Sequence, residues 1–230
     1  MLFYQPADGY CFNSDSIFLY DFAARFRPKG DLLDVGAGVG ILGLLFARDF
    51  NVRVTLVEKQ SKMAELARIN ARINGLEASI VEDDFLRHAF EKQFDTIVSN
   101  PPFYPEEVVQ SPDDHIHACR YNLHLPIDDF FQKVKKIIKP RGRFIFCYDP
   151  TQITALLSAL ERVGLKAEEI RFVHPKIDRP AKLVLIAARN QSRARQRVLA
   201  PLIVHDEKGY TPEAAKAFQK ARTHTIKCLT

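Results

Sequence analysis

Residues 32–43 read Leu32-Leu33-Asp34-Val35-Gly36-Ala37-Gly38-Val39-Gly40-Ile41-Leu42-Gly43. A short apolar run enters a cluster of glycines and leaves as a second apolar run that continues to Phe50. The pattern is that of a strand, a tight turn and a helix. Glycine at such a turn lets the backbone fold back sharply, lets a ligand approach the main chain, and lets the helix pack closely on the sheet. Gly38 to Gly43 also fits G-x-G-x-x-G, and Glu58, twenty residues after Gly38, stands where an acid would accept hydrogen bonds from two vicinal ribose hydroxyls. The spacing alone leaves open whether the ligand is a nicotinamide dinucleotide or another adenosine-containing molecule.

The same alternation continues outward. Asn13-Ser14-Asp15 supplies helix caps ahead of an apolar stretch from Ile17 to Phe26, broken at Pro28-Lys29-Gly30. Val52–Val57 reads as the next strand, followed by a helix capped by Ser61, with Met63, Leu66, Ala67 and Ile69 on one side, and closed by Asn74-Gly75. Ala78–Val81 and Phe94–Val98 read as strands, residues 104–125 as a long polar loop, and Pro126 opens a helix reaching Ile138, stopped by Lys139-Pro140-Arg141-Gly142. Arg143–Tyr148 is a strand, Thr151–Val163 a helix, and Ala167–Val173 and Leu183–Ala188 are strands; the tail adds a strand over Val198–Val204 and a helix opened by Thr211-Pro212. Strands alternating with helices of this length predict a doubly wound α/β fold with a mostly parallel sheet.

With 230 residues, 47% apolar and 27% charged, the chain is long enough to bury a core without staples, and its composition excludes disorder, collagen and coiled coil. No apolar run reaches the ~18–20 residues of a membrane span, and Met1–Tyr10 carries no basic residue, unlike a signal peptide. Cys11, Cys119, Cys147 and Cys228 are scattered, as free thiols in a reducing cytoplasm would be. No linker divides the chain. The expectation is one domain over 1–230, with an N-terminal helical segment (1–30), a Rossmann-like core (31–189) and a basic C-terminal extension (190–230). Residues 1–170 hold 20 basic against 24 acidic side chains, whereas residues 189–230 hold 9 against 3. A basic excess confined to the last quarter points to a polyanion such as nucleic acid, or to a solvated tail.

Two further motifs narrow the chemistry. Glu82-Asp83-Asp84-Phe85 follows the third strand, where Asp84 can accept from an adenine amino group and Phe85 can pack on the ring. Ser99-Asn100-Pro101-Pro102-Phe103 follows the fourth. With these residues the sequence resembles the amino-methyltransferases that use S-adenosyl-L-methionine (AdoMet), which carry [N/D]-P-P-[F/Y/W] at this place. Within that group it is most similar to the bacterial tRNA adenine-N6 methyltransferases that modify valine tRNA. Phe12-Asn13-Ser14-Asp15, Cys119-Arg120-Tyr121, Lys139-Pro140-Arg141-Gly142-Arg143 and Val198–Tyr210 carry the resemblance over most of the chain.

The resemblance implies a class I AdoMet methyltransferase fold, AdoMet as cofactor, and a structured RNA, a tRNA, as partner. It places Asp34, Gly36, Gly38, Gly40, Glu58, Asp84, Phe85 and Asn100 at the cofactor. The tetrad Asn100, Pro101, Pro102 and Phe103 becomes the catalytic set, and Phe103, Tyr104, Arg120, Tyr121, Arg193, Arg195 and Arg197 the substrate contacts. The residue types suit the reaction. An exocyclic purine amine is a poor nucleophile because its lone pair is delocalised into the ring. The Asn100 side-chain oxygen and the Pro101 carbonyl can accept its two N–H groups and hold the lone pair toward the methyl, while prolines add no competing donors. Phe103 can stack on a base taken out of its helix. Further amino acceptors, such as a protein glutamine, rRNA guanine or DNA adenine, share the tetrad; a non-catalytic RNA-binding relative and an NAD-dependent oxidoreductase are rival readings. His115, His117 and His124 lack a completing ligand, so no metal is expected. Tyr4, Tyr10 and Phe12 suit either a cofactor cover or the core. Arg171, Lys176, Arg179 and Lys182 extend the basic set.

Overall fold

The computed structural model describes residues 1–7, 12–101 and 126–228. In chain order the elements are β1 (Leu2–Pro6), α1 (Ser14–Ala24), β2 (Gly30–Val35), α2 (Ile41–Asp49), β3 (Val52–Glu58), α3 (Ser61–Ile73), β4 (Ala78–Glu82), β5 (Phe94–Ser99), α4 (Ile127–Ile137), β6 (Ile138–Tyr148), α5 (Ile153–Arg162), β7 (Leu165–His174) and β8 (Leu183–Asn190). Four short strands, β9 (Arg197–Val198), β10 (Leu202–Ile203), β11 (His205–Asp206) and β12 (Gly209–Tyr210), lead to α6 (Pro212–Ala221) and β13 (His224–Cys228).

Among the described residues the central sheet has nine strands, in the order β4-β3-β2-β5-β6-β8-β7-β10, with β9 also on β7. Every pairing is parallel except those of β8, which runs antiparallel to both β6 and β7. The central strands are apolar on both faces because helices cover both: Leu32, Leu33, Leu56, Ile97, Val98, Phe144 and Phe146 are fully buried. On one face α4 turns Phe130, Phe131, Val134 and Ile137 inward at helical spacing. They meet Phe144 and Phe146, whose rings stack 4.5 Å apart. The chain winds from β2 through β3 to β4 on one side, then returns to β5 on the other side of β2. The β2–β5 boundary is therefore the topological switch point, where open α/β sheets leave a crevice beyond the carboxyl ends of their strands.

The predicted doubly wound sheet is present, with local departures. Ser61 does not cap α3: it is the first helical residue, and Gln60 stands at the cap position, its side chain making no capping bond to the helix. The other end is as expected. Gly75 takes φ +62°, with Gly75 N–H bonded to Arg72 C=O and Leu76 N–H to Ala71 C=O. Lys139-Pro140-Arg141-Gly142 does not separate helix from strand. β6 begins at Ile138, directly after α4, and the four residues bulge outward, so the pairing shifts from Phe94 with Ile138 to Thr96 with Arg143. The predicted strand Val198–Val204 is cut in two, because Pro201 has no N–H for the ladder; β9 and β10 each pair with β7 on either side of it.

The N-terminal segment contains a strand as well as the helix, and the C-terminal segment is built into the body. β13 lies parallel to β1, and α6 packs on α1. The other edge of β1 is held by α3: Asn74 and Asn70 each use their carboxamide as a strand would, accepting from Leu2 and Tyr4 N–H (3.0 and 2.8 Å) and donating to the same residues' carbonyls (2.7 and 3.1 Å). Arg48 donates to the carbonyls of Ala221 and Lys220 at the end of α6. The last quarter of the chain is thus not a solvated tail.

Candidate active site

The glycine loop joins β2 to α2 at the switch point. Gly36, Gly38 and Gly40 all have positive φ (+67°, +55° and +86°). Gly36 and Gly38 have open space where a Cβ would stand, whereas one on Gly40 would lie 3.1 Å from Leu56. The first two thus leave a cradle on the crevice side, and Gly40 and Gly43 let α2 seat on β3.

Two buried carboxylates hold the loop in this shape. Asp34 accepts the Gly43 N–H (2.8 Å) at the start of α2. Its carboxyl is pushed up to about 7, chiefly by complete burial, with the charge on Glu58 adding to the rise and the Gly43 N–H opposing it. Glu58, at the end of β3, accepts the Gly38 N–H through Oε2 (2.8 Å) and the Gln60 N–H through Oε1 (2.9 Å). One strand over, Asp84 accepts the Leu86 N–H (2.9 Å) and pairs with Lys59 (3.1 Å). Burial opposes its charge, but Lys59 and the Leu86 N–H outweigh it and hold the carboxyl below the usual range. The Phe85 ring, expected from the sequence to pack on an adenine, instead points into the core, 5.4 Å from Phe130 and 5.9 Å from Phe90.

Asn100 leaves β5 on the other side of the crevice. Ser99 fixes its approach by donating from its buried hydroxyl to the Val35 carbonyl (2.8 Å). The Asn100 carboxamide donates to the Ser16 hydroxyl of α1 (3.0 Å) and accepts from the Cys147 thiol of β6 (2.9 Å). Asn100, Asp34, Gly36 and Gly38 line one pocket, with Phe12 and Met63 among its apolar walls. Phe12 is therefore at the crevice, while Tyr4 packs against the small cluster of Val39, Met63 and Leu66 beside it. Pro101 is buried, and Tyr10, Pro102, Phe103, Tyr104, the loop 104–125 with Arg120 and Tyr121, and the histidines at 115, 117 and 124 lie outside the described residues.

The arginines of the last quarter lie elsewhere. Ser99 is in register with Phe146, at the crevice edge, while Arg143 is in register with Thr96 and Arg189, toward the opposite edge. Three residues of strand separate those rungs, about 10 Å, and Arg193 and Arg195, both exposed, follow beyond Asn190, where β8 ends. Arg197 is paired with the buried Glu169, which also binds Arg25 (2.9 Å). Arg171 is engaged as well, by Glu213 (2.8 Å) and the Ala200 carbonyl (3.0 Å). These arginines do not rim the pocket. Lys176, Arg179 and Lys182 sit on the β7–β8 turn at the crevice edge, and all three are exposed.

Ser16, Asn70 and Cys147 have contacts that the sequence does not announce. Asn70, fully buried on α3, also donates to the Val39 carbonyl (3.0 Å), tying β1 to the glycine loop. A polar residue on the apolar face of a helix is the one signal that could have marked it. Among the described residues no group of three or more His, Cys, Asp or Glu side chains could hold a metal ion, and no helix is long and apolar enough to cross a membrane.

A family model described as the methyltransferase small domain matches residues 13–149, more than half of the chain and the whole stretch from the α1 cap to the end of β6. The chain belongs to this family. Curated methyltransferases similar to it include a tRNA1(Val) (adenine(37)-N6)-methyltransferase of Porphyromonas gingivalis, 27% identical over 94% of this chain and 90% of the relative. Another of the same name, from Actinobacillus pleuropneumoniae, is 26% identical over 91% and 88%. Among solved structures, a protein of Agrobacterium tumefaciens described as a predicted O-methyltransferase superposes with a TM-score of 0.71, at 21% identity, over 93% of this chain and all of that one. The 16S rRNA N2 G1207 methyltransferase of Thermus thermophilus, solved with AdoMet and guanosine, superposes with a TM-score of 0.58, at 20% identity, over 80% of this chain and 45% of that one. The fold of this enzyme is that of the class I AdoMet-dependent methyltransferases.

Proposed function

We propose that this methyltransferase moves the methyl group of AdoMet onto the exocyclic N6 amine of an adenine in tRNA, specifically the adenine-37 position of a valine tRNA, in the cytoplasm. The observation that carries the reading is the placement of Asn100 across one small crevice from the glycine cradle. A side chain able to accept from an amine faces the space where a cofactor would lie. The curated relatives of that name align along nearly the whole chain.

The residues present fit AdoMet. Gly36 and Gly38 leave room for a close approach to the backbone, Met63, Val39 and Phe12 offer apolar contact, and Glu58 and Asp84 offer hydrogen-bond acceptors at the carboxyl ends of β3 and β4. Bound there, AdoMet supplies a methyl group on a positively charged sulfur. Glu58 would accept the ribose hydroxyls through oxygens already oriented by backbone N–H groups, and Asp84 the adenine amine. Asn100 Oδ1 and the Pro101 carbonyl would accept the N–H groups of the target amine and stabilise the positive charge that develops on its nitrogen. Much of the rate then comes from holding the amine in line with the methyl. On this reading Pro102 and Phe103 would complete the tetrad, Phe103 would stack on the base, and Tyr104, Arg120 and Tyr121 would serve as further substrate contacts. Lys176, Arg179 and Lys182 would meet phosphates near the crevice, and Arg193 and Arg195 phosphates of a more distant arm.

The test is to incubate the purified chain with AdoMet and transcribed valine tRNA, digest the RNA and measure nucleosides by mass spectrometry. N6-methyladenosine at the mapped position is the expected product. A methylated guanine, methylation of DNA or protein alone, or no transfer to any tRNA overturns the reading.

A further inference from the structure

The Asn100 carboxamide is held at both ends by residues from two other elements. Ser99 and Phe146 form the last rung between β5 and β6, so Asn100 and Cys147 emerge side by side at the next position. The Cys147 sulfur lies 2.9 Å from Asn100 Oδ1, and Ser16, in the first turn of α1, places its hydroxyl 3.0 Å from Asn100 Nδ2. Both partners are deeply buried, Cys147 at 0% and Ser16 at 3% exposure, so neither contact exchanges freely with water. Burial, reinforced by the charge on Asp15, pushes the Cys147 thiol well above its usual range. It therefore keeps its proton and is a donor at every working pH.

We infer that Cys147 and Ser16 are positioning residues for the transfer, a two-point clamp that fixes the plane of the Asn100 carboxamide. The inference rests on the proposed role of Asn100 at the target amine. A carboxamide turns easily about its bond to Cβ, and only its oxygen can accept from an amine. That oxygen has two lone pairs. The Cys147 thiol takes one and leaves the other for the substrate N–H. Ser16 accepts from the amide nitrogen and stops the group from swinging away. A group that acts by geometry loses rate when it is free to turn, and a misplacement of about 1 Å costs on the order of 100-fold. The arrangement also gives the Asn13-Ser14-Asp15-Ser16 segment a role in the chemistry: Asn13 caps α1 by accepting from Asp15 N–H (3.0 Å), which places Ser16 within reach of Asn100.

The experiment uses the full chain with tRNA and compares four variants, each checked for folding by thermal melting and for binding of the demethylated cofactor by calorimetry. Cys147→Ser keeps a donor, and Cys147→Val keeps the volume but removes it; Ser16→Ala removes the second anchor; Asn100→Ala removes the clamped group. The expected result is a kcat within threefold of wild type for Cys147→Ser and a fall of about 10- to 100-fold for Cys147→Val and Ser16→Ala, with KM for AdoMet unchanged. A purely structural role for Cys147 predicts the reverse order, with valine tolerated and serine penalised in an apolar site. If Cys147→Val does not fold, Ser16→Ala decides the matter alone. Normal kcat in Ser16→Ala and Cys147→Val, with Asn100→Ala inactive, overturns the clamp and leaves the role of Asn100 standing. Normal turnover by Asn100→Ala overturns that role itself, and the clamp with it.

Discussion

Gly43 and Gly38 stand five residues apart in one glycine-rich stretch, yet a methyl group added to each should act on different properties of the enzyme. At Gly43 a Cβ would lie 2.2 Å from Leu56 Cδ2, 3.1 Å from Val54 Cγ1 and 3.2 Å from Asp34 Oδ2. Leu56 is fully buried, with no free volume to turn into, and its other methyl, Cδ1, occupies the space beside Gly40, 3.1 Å from where a Cβ on that residue would stand. The leucine sits between two glycines of the same helix start. Gly43→Ala gains about 1 kcal/mol of helix propensity but overpacks a rigid site, which costs about 1–3 kcal/mol and occasionally more. It also presses on the Asp34 oxygen that accepts the Gly43 N–H. The expected net effect is a loss of up to about 2 kcal/mol. At Gly38 nothing lies within 4 Å of the added Cβ, and only the backbone objects: φ is +55°, and an L-residue there costs about 1–2 kcal/mol. That Cβ, however, fills the cradle.

Denaturant unfolding and calorimetric titration with AdoMet, run on both variants, separate the two effects. Gly43→Ala should shift the unfolding midpoint and leave the affinity of the folded protein within about threefold. Gly38→Ala should lose at least tenfold in affinity, the equivalent of about 1.4 kcal/mol. A double variant, Gly43→Ala with Leu56→Ala, should lose less than the sum of the two single losses, because the shortened side chain makes room for the methyl. Strict additivity, or wild-type AdoMet affinity in Gly38→Ala, would refute the assignment of these glycines.

Asp34→Asn should flatten the dependence of stability on pH. With its pKa raised to about 7, the folded state of Asp34 holds a proton that the unfolded state releases near 3.8, so its contribution to stability falls as pH rises from about 4 to 7. Asparagine still accepts the Gly43 N–H without titrating, and unfolding midpoints of the two proteins measured from pH 5 to 8 should converge toward the acid end; parallel curves would contradict the raised pKa. Asn100→Ala should lower methyl transfer by about 100- to 1,000-fold with AdoMet affinity within a few-fold, checked by single-turnover kinetics and calorimetry. Arg193→Glu with Arg195→Glu should weaken binding of full-length tRNA and reduce its salt slope by about 0.7–0.9 for each phosphate no longer neutralised. A short anticodon stem-loop should bind unchanged, since both arginines lie toward the edge opposite Asn100. Filter binding across a salt series tests this, and an unaltered slope for full-length tRNA removes that face from the RNA path.

What the chain discloses in one dimension is what is local. The glycine loop, the acids one strand and two strands later, and Asn100 at the end of β5 each follow a strand of the parallel sheet, so each reaches the same edge, although the switch point puts Asn100 beside the glycine loop and Asp84 farthest from it. The clamp on Asn100 is a different kind of fact. Ser16 lies 84 residues before it and Cys147 47 residues after it, and only the seating of α1 and the β5–β6 register bring them together. Neither residue type at its position is unusual, so no pattern marks them. Phe85 shows the complementary difficulty. An apolar residue beside a functional acid can face a ligand or the core, and here the cluster of Phe90, Phe94 and Phe130 leaves an aromatic-lined space that draws it inward. The charge of the last quarter is the instructive case. A count along the chain shows that residues 189–230 are basic, but not which way they point. Because β8 runs antiparallel to its neighbours, its carboxyl end lies at the amino ends of β5 and β6, and the arginines that follow begin on the far side of the sheet from the crevice. The chain then climbs back along β9 and β10, spending Arg197 on Glu169, while the exposed Lys176, Arg179 and Lys182, which precede β8, sit on the β7–β8 turn at the edge where Asn100 stands. One reversed strand thus separates the basic residues that precede it, at the rim of the site, from those that follow it, which go to a remote face and to an ion pair with the buried Glu169.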